Sequence, residues 1–320
     1  MKNNLNLFFF LLLFTLAANL ASGQNAVVKM QFGVLGENGN FFTELKASDI
    51  QILQGKKYLQ PSSLELKTDI PVEIVIMIDA SVSQERTLPN EQKIAEYFID
   101  NILKNGKDKI AIAKFAGGVS FEQDLTADFT KAKKRLGKIE FEKPAGYAGG
   151  GVVVGNTPNK PVTAPGSTSI WDSIKLISED FAKIKTTNSR RAIILISDGV
   201  NTFGESKLNE AIEASIKTQI PVYAVGIGEE YYGGIDRKTL KKLTEQTSGV
   251  LIIPKKKLGD LPQEMKRIEQ SLRSFYEVTF SPDSAGSKDL FQELKIDIIK
   301  PDLRRQKLQT LQPKGFFLSN

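Results

Sequence analysis

Five nearly continuous apolar segments restrict the fold of this chain more than any other feature of its sequence. Strands that lack polar alternation are typical of a parallel sheet that is covered on both faces. The segments therefore predict strands that run through the middle of a layered domain rather than along its surface. They are Val72–Ile78, Ile110–Phe115, Ala192–Ile196, Val222–Ile227 and Val250–Ile253.

Helical periodicity separates these predicted strands. Apolar residues recur at spacings of three and four, for example at Ile170, Ile174 and Ile177, and at spacings of four at Leu208 and Ile212. Such spacing places the apolar side chains on one face of a helix. The alternation of strand and helix predicts an α/β domain over residues 71–272, with a doubly wound, mostly parallel, Rossmann-like sheet. In such sheets ligands bind beyond the carboxyl ends of the strands.

On both sides of this region the pattern differs, because apolar residues recur at every second position. Val28, Met30 and Phe32 alternate with other residues on the N-terminal side, and Tyr276 and Val278 do so on the C-terminal side. Period two is typical of strands with one buried face. We therefore expect an N-terminal β module over residues 24–70 and C-terminal strands over residues 273–320 that complete it. The α/β domain would be inserted in, or flanked by, this small antiparallel module.

The first 23 residues have the pattern of a secretory signal peptide. Lys2 is followed by an apolar stretch from Leu7 to Ala18, and Ala21 and Gly23 occupy the small positions of a cleavage site. The stretch is too short for a lasting membrane anchor. We expect cleavage near Gly23 and Gln24, a secreted or periplasmic protein, and no stable membrane span.

The chain contains no histidine and no cysteine. Their absence excludes Ser-His-Asp triads, thiol nucleophiles and histidine-based zinc sites. Any metal must be held by oxygen, which favours Mg²⁺ first and then Mn²⁺ or Ca²⁺. The formal net charge is +6, but the charges of both signs are mixed along the chain, so we expect no nucleic-acid partner.

Oxygen-bearing side chains follow the ends of two predicted strands. Asp79, Ser81 and Ser83 alternate directly after the first strand, and Asp198 follows a later one. Thr168 stands where a helix begins, just after a Gly/Pro-rich segment. Each string alone also fits a polar turn or a helix N-cap. Because carboxyl ends of parallel strands share one edge of a sheet, the three strings together favour a metal site.

The strings "DASVS", "GSTSIWDSI" and "LISDGVN", in this order, resemble the metal-ion-dependent adhesion site of von Willebrand factor type A domains. With the flanking segments "FFTELKASDIQILQGKKYLQ" and "LRSFYEVTFSP", nearly the full chain resembles the VWFA-related domain proteins of Acidobacteria. The resemblance implies hydroxyls that bind the metal directly, carboxylates that act partly through water, and one position open to a partner's acidic oxygen. The implied metal ligands are Asp79, Ser81, Ser83, Thr168 and Asp198.

These observations predict an exported, non-enzymatic adhesion or assembly protein that binds a carboxylate of an extracytoplasmic protein through a divalent cation. A metal-dependent hydrolase of the cell envelope is a second hypothesis, although no general base stands next to the motif. An assembly module with a purely structural metal is a third. The segment Ala145–Gly166 departs from the resemblance, because related chains reach the Gly-x-Thr string quickly.

Overall fold

The computed structural model describes residues 27–104, 106–144, 147–149, 152–153, 166–185, 189–254, 261–283 and 290–318. The predicted signal peptide and most of the Gly/Pro-rich segment lie outside these ranges. The helices are α1 Leu88–Asn101, α2 Phe129–Leu136, α3 Ile170–Lys183, α4 Leu208–Thr218, α5 Arg237–Gln246, α6 Leu261–Arg273 and α7 Pro301–Arg304. The strands are β1 Val28–Leu35, β2 Ile50–Gln54, β3 Lys57–Leu59, β4 Ser63–Lys67, β5 Val72–Asp79, β6 Lys109–Phe115, β7 Val119–Thr126, β8 Tyr147–Gly149, β9 Val152–Val153, β10 Arg190–Ser197, β11 Val222–Gly226, β12 Leu251–Ile252, β13 Phe275–Phe280, β14 Phe291–Ile298, β15 Gln309–Leu311 and β16 Gly315–Phe317.

The largest sheet has the strand order β12-β11-β10-β5-β6-β7. Its first five strands are parallel, and β7 pairs antiparallel with β6 at the edge. The predicted α/β fold class, with a mostly parallel sheet beside antiparallel strands, is confirmed. The sequence did not predict β7, because an edge strand that alternates polar and apolar residues lacks the apolar run of a buried strand.

Helices cover both faces of this sheet, which explains the apolar segments. Every residue of β5 is buried, because the strand lies in the middle of the sheet. Ile74 and Ile76 pack in the core that includes α1 and α6, whereas Val75 and Met77 pack in the core that includes α3 and α4. Alternate residues of one strand therefore serve two separate cores.

The remaining strands form two four-stranded antiparallel sheets, ordered β15-β1-β13-β4 and β16-β14-β2-β3. Each sheet combines strands from both ends of the chain: β1 pairs with β13, and β2 pairs with β14. Their inner faces share a core that contains Phe32, Ile52 and Phe280. The hydroxyl of Tyr276 joins this core to the connecting loop, since it accepts from Leu45 N at 3.0 Å and donates to Phe42 O at 3.0 Å.

A buried ion pair links the entry and the exit of the α/β domain. Arg273, at the end of α6, contacts Asp108 with its Nη2 atom 2.6 Å from Oδ2. Asp108 Oδ1 also accepts from Val72 N at 3.0 Å, where β5 begins. The pair therefore connects the two points at which the chain passes between the β sheets and the α/β domain. In the described part of the chain, no helix has the length and apolar character needed to cross a membrane.

Candidate metal centre

Asp79 is the last residue of β5, and its carboxylate is completely buried. Two donors hold it: Ser197 Oγ lies 2.6 Å from Oδ2, and Ser81 N lies 3.0 Å from Oδ1. Ser197 ends the neighbouring parallel strand β10, so the sheet itself brings this donor to the carboxylate. The position predicted from the sequence, at the carboxyl edge of the sheet, is where the structure places Asp79.

The two serines meet through a turn rather than through an extended strand. Ser81 is extended, but Val82–Gln84 form a single turn of 3-10 helix. The two Oγ atoms lie 3.1 Å apart, and Ser83 Oγ donates to Asp198 Oδ2 at 2.9 Å. The tight turn therefore brings Ser83 back toward the sheet edge.

Asp198 follows β10 and is buried as well. Its Oδ1 atom accepts from Val200 N at 2.8 Å, and its Oδ2 atom accepts from Gln84 Nε2 at 2.8 Å. Gly199 has a φ of +82°, which the chain needs in order to turn away from the sheet at this point. The sequence Asp-Gly thus serves as a turn, and its aspartate also faces the serine loop.

Thr168 is buried and is held between the other two loops by its backbone. Its carbonyl accepts from Thr202 N at 2.9 Å, and its own N–H donates to Thr202 Oγ1 at 2.9 Å. On the other side, Gly166 O accepts from Val82 N at 3.2 Å. The structure therefore joins the Thr168 segment to both the serine loop and the Asp198 loop. Four of the five predicted residues share a hydrogen-bonded cluster, and Thr168 lies beside it through these backbone contacts.

Burial without a positive partner dominates the electrostatics of this cluster. Desolvation, reinforced by the neighbouring charge of Asp198, raises the pKa of the Asp79 carboxyl to about 7. Desolvation also raises the pKa of Asp198. Among the described residues, no lysine or arginine forms an ion pair with either carboxylate, so their negative charges have only hydrogen bonds to stabilise them. Buried charges normally pair with a counter-ion or bind a metal.

A polar layer beneath the cluster was not predicted from the sequence. Gln84, which donates to Asp198, contacts Thr87 Oγ1 with its Oε1 atom, and Thr87 Oγ1 lies 3.5 Å from Glu91 Oε1. Glu91 is completely buried, and burial, followed by the charges of Asp79 and Asp198, raises its pKa well above the usual range. In the sequence Glu91 has the spacing of an exposed acid in the first turn of a helix, so no local signal distinguishes it.

Asp172, one helical turn after Thr168, turns its carboxylate toward a loop. It accepts from Glu205 N at 2.9 Å and from Ser206 N at 2.8 Å. Partial burial works to raise its pKa, but these hydrogen bonds outweigh burial and lower it. Asp172 therefore organises the loop after Asp198, and Trp171 beside it is buried in the core.

Aromatic and charged side chains lie on the segments that follow the serine loop and β11, and on β8. Tyr147 contacts the Glu85 carboxylate through its hydroxyl, and Arg86 pairs with Glu229 at 3.7 Å. Tyr231 is 72 % exposed and stacks edge-on against Tyr232. We call these residues the rim.

The donor set fits a hard divalent cation. Two carboxylates and serine hydroxyls are oxygen ligands of the kind that Mg²⁺, Mn²⁺ and Ca²⁺ accept. Within the described ranges no three acidic, histidine or cysteine side chains form a metal-binding group. An ion at this position would therefore depend on the hydroxyls of Ser81, Ser83 and Thr168 together with Asp79 and Asp198.

Gly199→Ala should destabilise the protein, because the new Cβ would lie 2.6 Å from Leu240 Cγ and the residue would keep a φ of +82°. Gly233→Ala is the matched control, since it has a φ of +96° and no atom within 4 Å of the new Cβ. We expect the control to lose about 1 kcal/mol and Gly199→Ala at least about 2 kcal/mol more, from strain and overpacking. Urea unfolding of both variants measures the difference, and equal losses would contradict the tight contact.

The sequence profile of the von Willebrand factor type A domain matches residues 159–264, which include Thr168 and Asp198. No curated protein sequence matches the chain.

Several solved structures are similar at low sequence identity. BatB from Bacteroides thetaiotaomicron is 20% identical, with 63% of this chain and 97% of that chain covered and a TM-score of 0.45. A von Willebrand factor type A protein from Catenulispora acidiphila is 15% identical, with 91% and 74% covered and a TM-score of 0.47. Proximal thread matrix protein 1 from the mussel byssus is 16% identical, with 68% and 51% covered and a TM-score of 0.49.

The profile match covers β10 and the helices around it, and the six-stranded sheet supplies Asp79 from the strand beside β10. The chain therefore contains a von Willebrand factor type A domain, accompanied by antiparallel sheets built from both chain ends.

Proposed function

We propose that this protein is an exported, non-enzymatic binding protein that holds a divalent cation, Mg²⁺ in the first place, at Asp79, Ser81, Ser83, Thr168 and Asp198. A cation bound there would offer a coordination position to an Asp or Glu carboxylate of an extracytoplasmic partner protein. The family of the domain supports a general role in binding or adhesion. The chain's own residues would orient the site, since the loops that carry them are connected by hydrogen bonds.

One observation carries this proposal: two buried carboxylates lie at the same sheet edge, and no positive side chain in the described part of the chain pairs with them. Ser83 connects the serine loop to one of them, since its Oγ atom donates to Asp198 Oδ2 at 2.9 Å. In water-excluded surroundings, two unpaired negative charges are costly. A divalent cation would remove this cost, whereas a turn or an N-cap requires no second buried carboxylate.

The described residues favour binding over hydrolysis. A hydrolase needs a base that can reach a water molecule beside the ion. Gln84 and Thr87 hydrogen-bond to each other, and Glu91 is completely buried beneath them. The rim instead offers the exposed Tyr231 and the Arg86–Glu229 pair, and tyrosine and arginine are enriched where proteins contact each other.

The experiment has two parts and uses the chain from Gln24 onward. Calorimetry with Mg²⁺, Mn²⁺ and Ca²⁺ tests cation binding, and we expect binding below millimolar concentration. Capture from a cell-envelope extract in Mg²⁺, followed by elution with EDTA, tests partner binding. Conversion of the extract's carboxyl groups to amides should abolish capture, because the partner then lacks the anionic oxygen.

Two results would contradict the proposal. Absence of cation binding below millimolar levels would reject the metal site itself. Capture that persists in EDTA, or after amidation of the extract, would leave a metal site that does not serve this kind of partner.

The native protein isolated from the envelope should begin near Gln24 in mass spectrometry, and a chain that retains residues 1–20 would contradict cleavage and export by this signal.

A further inference from the structure

A cavity of about 400 Å³ lies between the α/β domain and the antiparallel sheets. We call it the junction cavity. Arg190, the first residue of β10, and Pro221, just before β11, border it on one side, and β1 and β16 border it on the other. These are the amino ends of the parallel strands, so the cavity lies about 25 Å from Asp198 across the length of β10. Its volume is in the range of small-molecule sites.

Arg190 is the unusual residue of this cavity. Its side chain is 5% exposed, yet within the described part of the chain no carboxylate pairs with it. Its Nη1 atom donates to Ser271 O at 2.5 Å, and the face of the Phe275 ring lies 4.5 Å from the guanidinium carbon. Its Nε atom is buried without a hydrogen-bond partner. An arginine so deeply buried is normally paired, because the loss of its hydration is costly.

The other buried arginine has a different environment. Arg273 is similarly buried, but it faces the carboxylate of Asp108 at 2.6 Å. Among the described residues, Arg190 contacts the carbonyl of Ser271 and the ring of Phe275, and no carboxylate pairs with it. Burial accordingly lowers the pKa of Arg190, in the direction expected for a cation that lacks a counter-ion.

The lining of the junction cavity has a single sign of charge. Besides Arg190, Lys29 and Lys217 line it, and none of its lining residues is an aspartate or a glutamate. Both lysines are exposed, which places them at the mouth rather than in the interior. The other walls are largely apolar and include Val28, Met30, Ile216, Pro221, Phe316 and Phe317.

We propose that the junction cavity binds a small organic carboxylate with an aliphatic tail, with the carboxylate against Arg190 and the tail along the apolar wall. A guanidinium presents parallel N–H donors that match the two oxygens of a carboxylate. A monoanion neutralises the one buried cation, and the tail removes apolar surface from water. The site is independent of the metal centre, because it occupies the opposite edge of the sheet.

Octanoate is the probe, and calorimetry at low ionic strength with the chain from Gln24 onward is the measurement. Octanamide has the same tail without the charge, and acetate has the charge without the tail. We expect octanoate to bind at least about tenfold more tightly than either, a difference of about 1.4 kcal/mol or more. EDTA should leave this affinity unchanged. Equal binding of octanoate and octanamide would overturn the proposal.

Two variants locate the binding. Arg190→Gln should weaken octanoate at least about tenfold while leaving the weak binding of octanamide unchanged. Should that variant fail to fold, Lys217→Glu at the exposed mouth serves instead, with Lys183→Glu as its control. Lys217 occupies the last turn of α4 as Lys183 occupies the last turn of α3, so both reversals place a negative charge at a helix C-terminus, and Lys183→Glu also removes the pair with Asp180. Equal octanoate affinity in the wild type and Arg190→Gln, or in the two lysine variants, would reject the junction cavity as the site.

Discussion

Asp79→Asn should remove divalent-cation binding while leaving the fold intact. The substitution keeps the shape of the side chain and an oxygen acceptor for Ser81 N or Ser197 Oγ, both of which now contact the carboxylate. It removes one of the two negative charges that would attract a cation. We expect the affinity for Mg²⁺ to fall at least about 100-fold, since the proposed site loses one of its two negative charges.

The same variant should be at least as stable as the wild type when EDTA is present. In the wild type, Asp79 and Asp198 are buried near each other, and no described lysine or arginine pairs with them, so neutralising one of them removes repulsion and a desolvation cost. Loss of cation binding together with unchanged or increased stability distinguishes a ligand from a structural residue. Calorimetric titration and thermal unfolding in EDTA measure the two quantities.

Two further substitutions make the comparison specific. Ser81→Ala should weaken the cation by about tenfold without eliminating binding, because it removes a neutral oxygen only. Asp180→Asn is the control for a lost negative charge, since Asp180 is exposed on α3 and pairs with Lys183 at 2.7 Å. It should bind the cation normally. Wild-type affinity in Asp79→Asn would disprove the metal centre at this sheet edge.

The stability of the cation-free protein should depend on pH in an unusual direction. The pKa of Asp79 is about 7 in the folded protein, against an ordinary value of 3.8. Between these values the folded state holds a proton that the unfolded chain releases. The contribution of Asp79 to the free energy of unfolding therefore decreases as the pH rises from about 4 to about 7. Asp198 and Glu91, whose pKa values are also raised, contribute with the same sign.

A comparison of the wild type with Asp79→Asn isolates this contribution. At pH 5 the folded carboxyl and the amide are both neutral, and only part of the loss between pH 4 and pH 7 has occurred, so the Tm difference between the two proteins in EDTA should be small. At pH 8 the wild type should unfold at a lower temperature, by an amount on the order of 5 °C. A Tm difference that stays constant between pH 5 and pH 8 would contradict the raised pKa of Asp79.

Mg²⁺ should reverse this dependence in the wild type. Cation binding requires the ionised carboxylate, so the affinity should rise with pH and level off above about 7. At a concentration 100 times the dissociation constant, a cation that binds only the folded state stabilises it by about 2.7 kcal/mol. The rise in the Tm of the wild type caused by Mg²⁺ should therefore be small at pH 5 and large at pH 8. Mg²⁺ should not raise the Tm of Asp79→Asn at either pH.

Much of the fold could be predicted because its signals are local. The apolar residues of Val72–Asp79 indicate a strand that is buried on both faces, and the structure places it in the middle of the sheet. Period two around Met30 and Val278 indicates strands with one buried face, and these two residues are direct partners in the register of β1 and β13. Neither pattern indicates which strands pair, because the pairing joins segments almost 250 residues apart.

The candidate site was predictable in part for the same reason. Asp79 and Asp198 directly follow buried strands, and the ends of adjacent parallel strands must lie at one edge of the sheet. Ser83 reaches Asp198 only through the 3-10 turn at Val82–Gln84, which the alternation of polar residues did not indicate. The strand ends in the sequence therefore indicate the sheet edge at which these residues lie, and the 3-10 turn brings Ser83 into contact with Asp198.

The sequence by itself determined the fold class, the oxygen chemistry of any metal site and the sheet edge proposed for that site. These follow from hydrophobic periodicity, amino-acid composition and the residues that follow the strands, all of which can be read directly from the sequence. Only the tertiary structure decided that Glu91 is buried, that Arg273 pairs with Asp108, and that Arg190 pairs with no carboxylate among the described residues. Nothing in the sequence distinguishes Glu91, Arg273 and Arg190 from other charged residues. Whether a charge is hydrated, paired or isolated depends on side chains brought together from distant parts of the chain, and packing alone selects those neighbours.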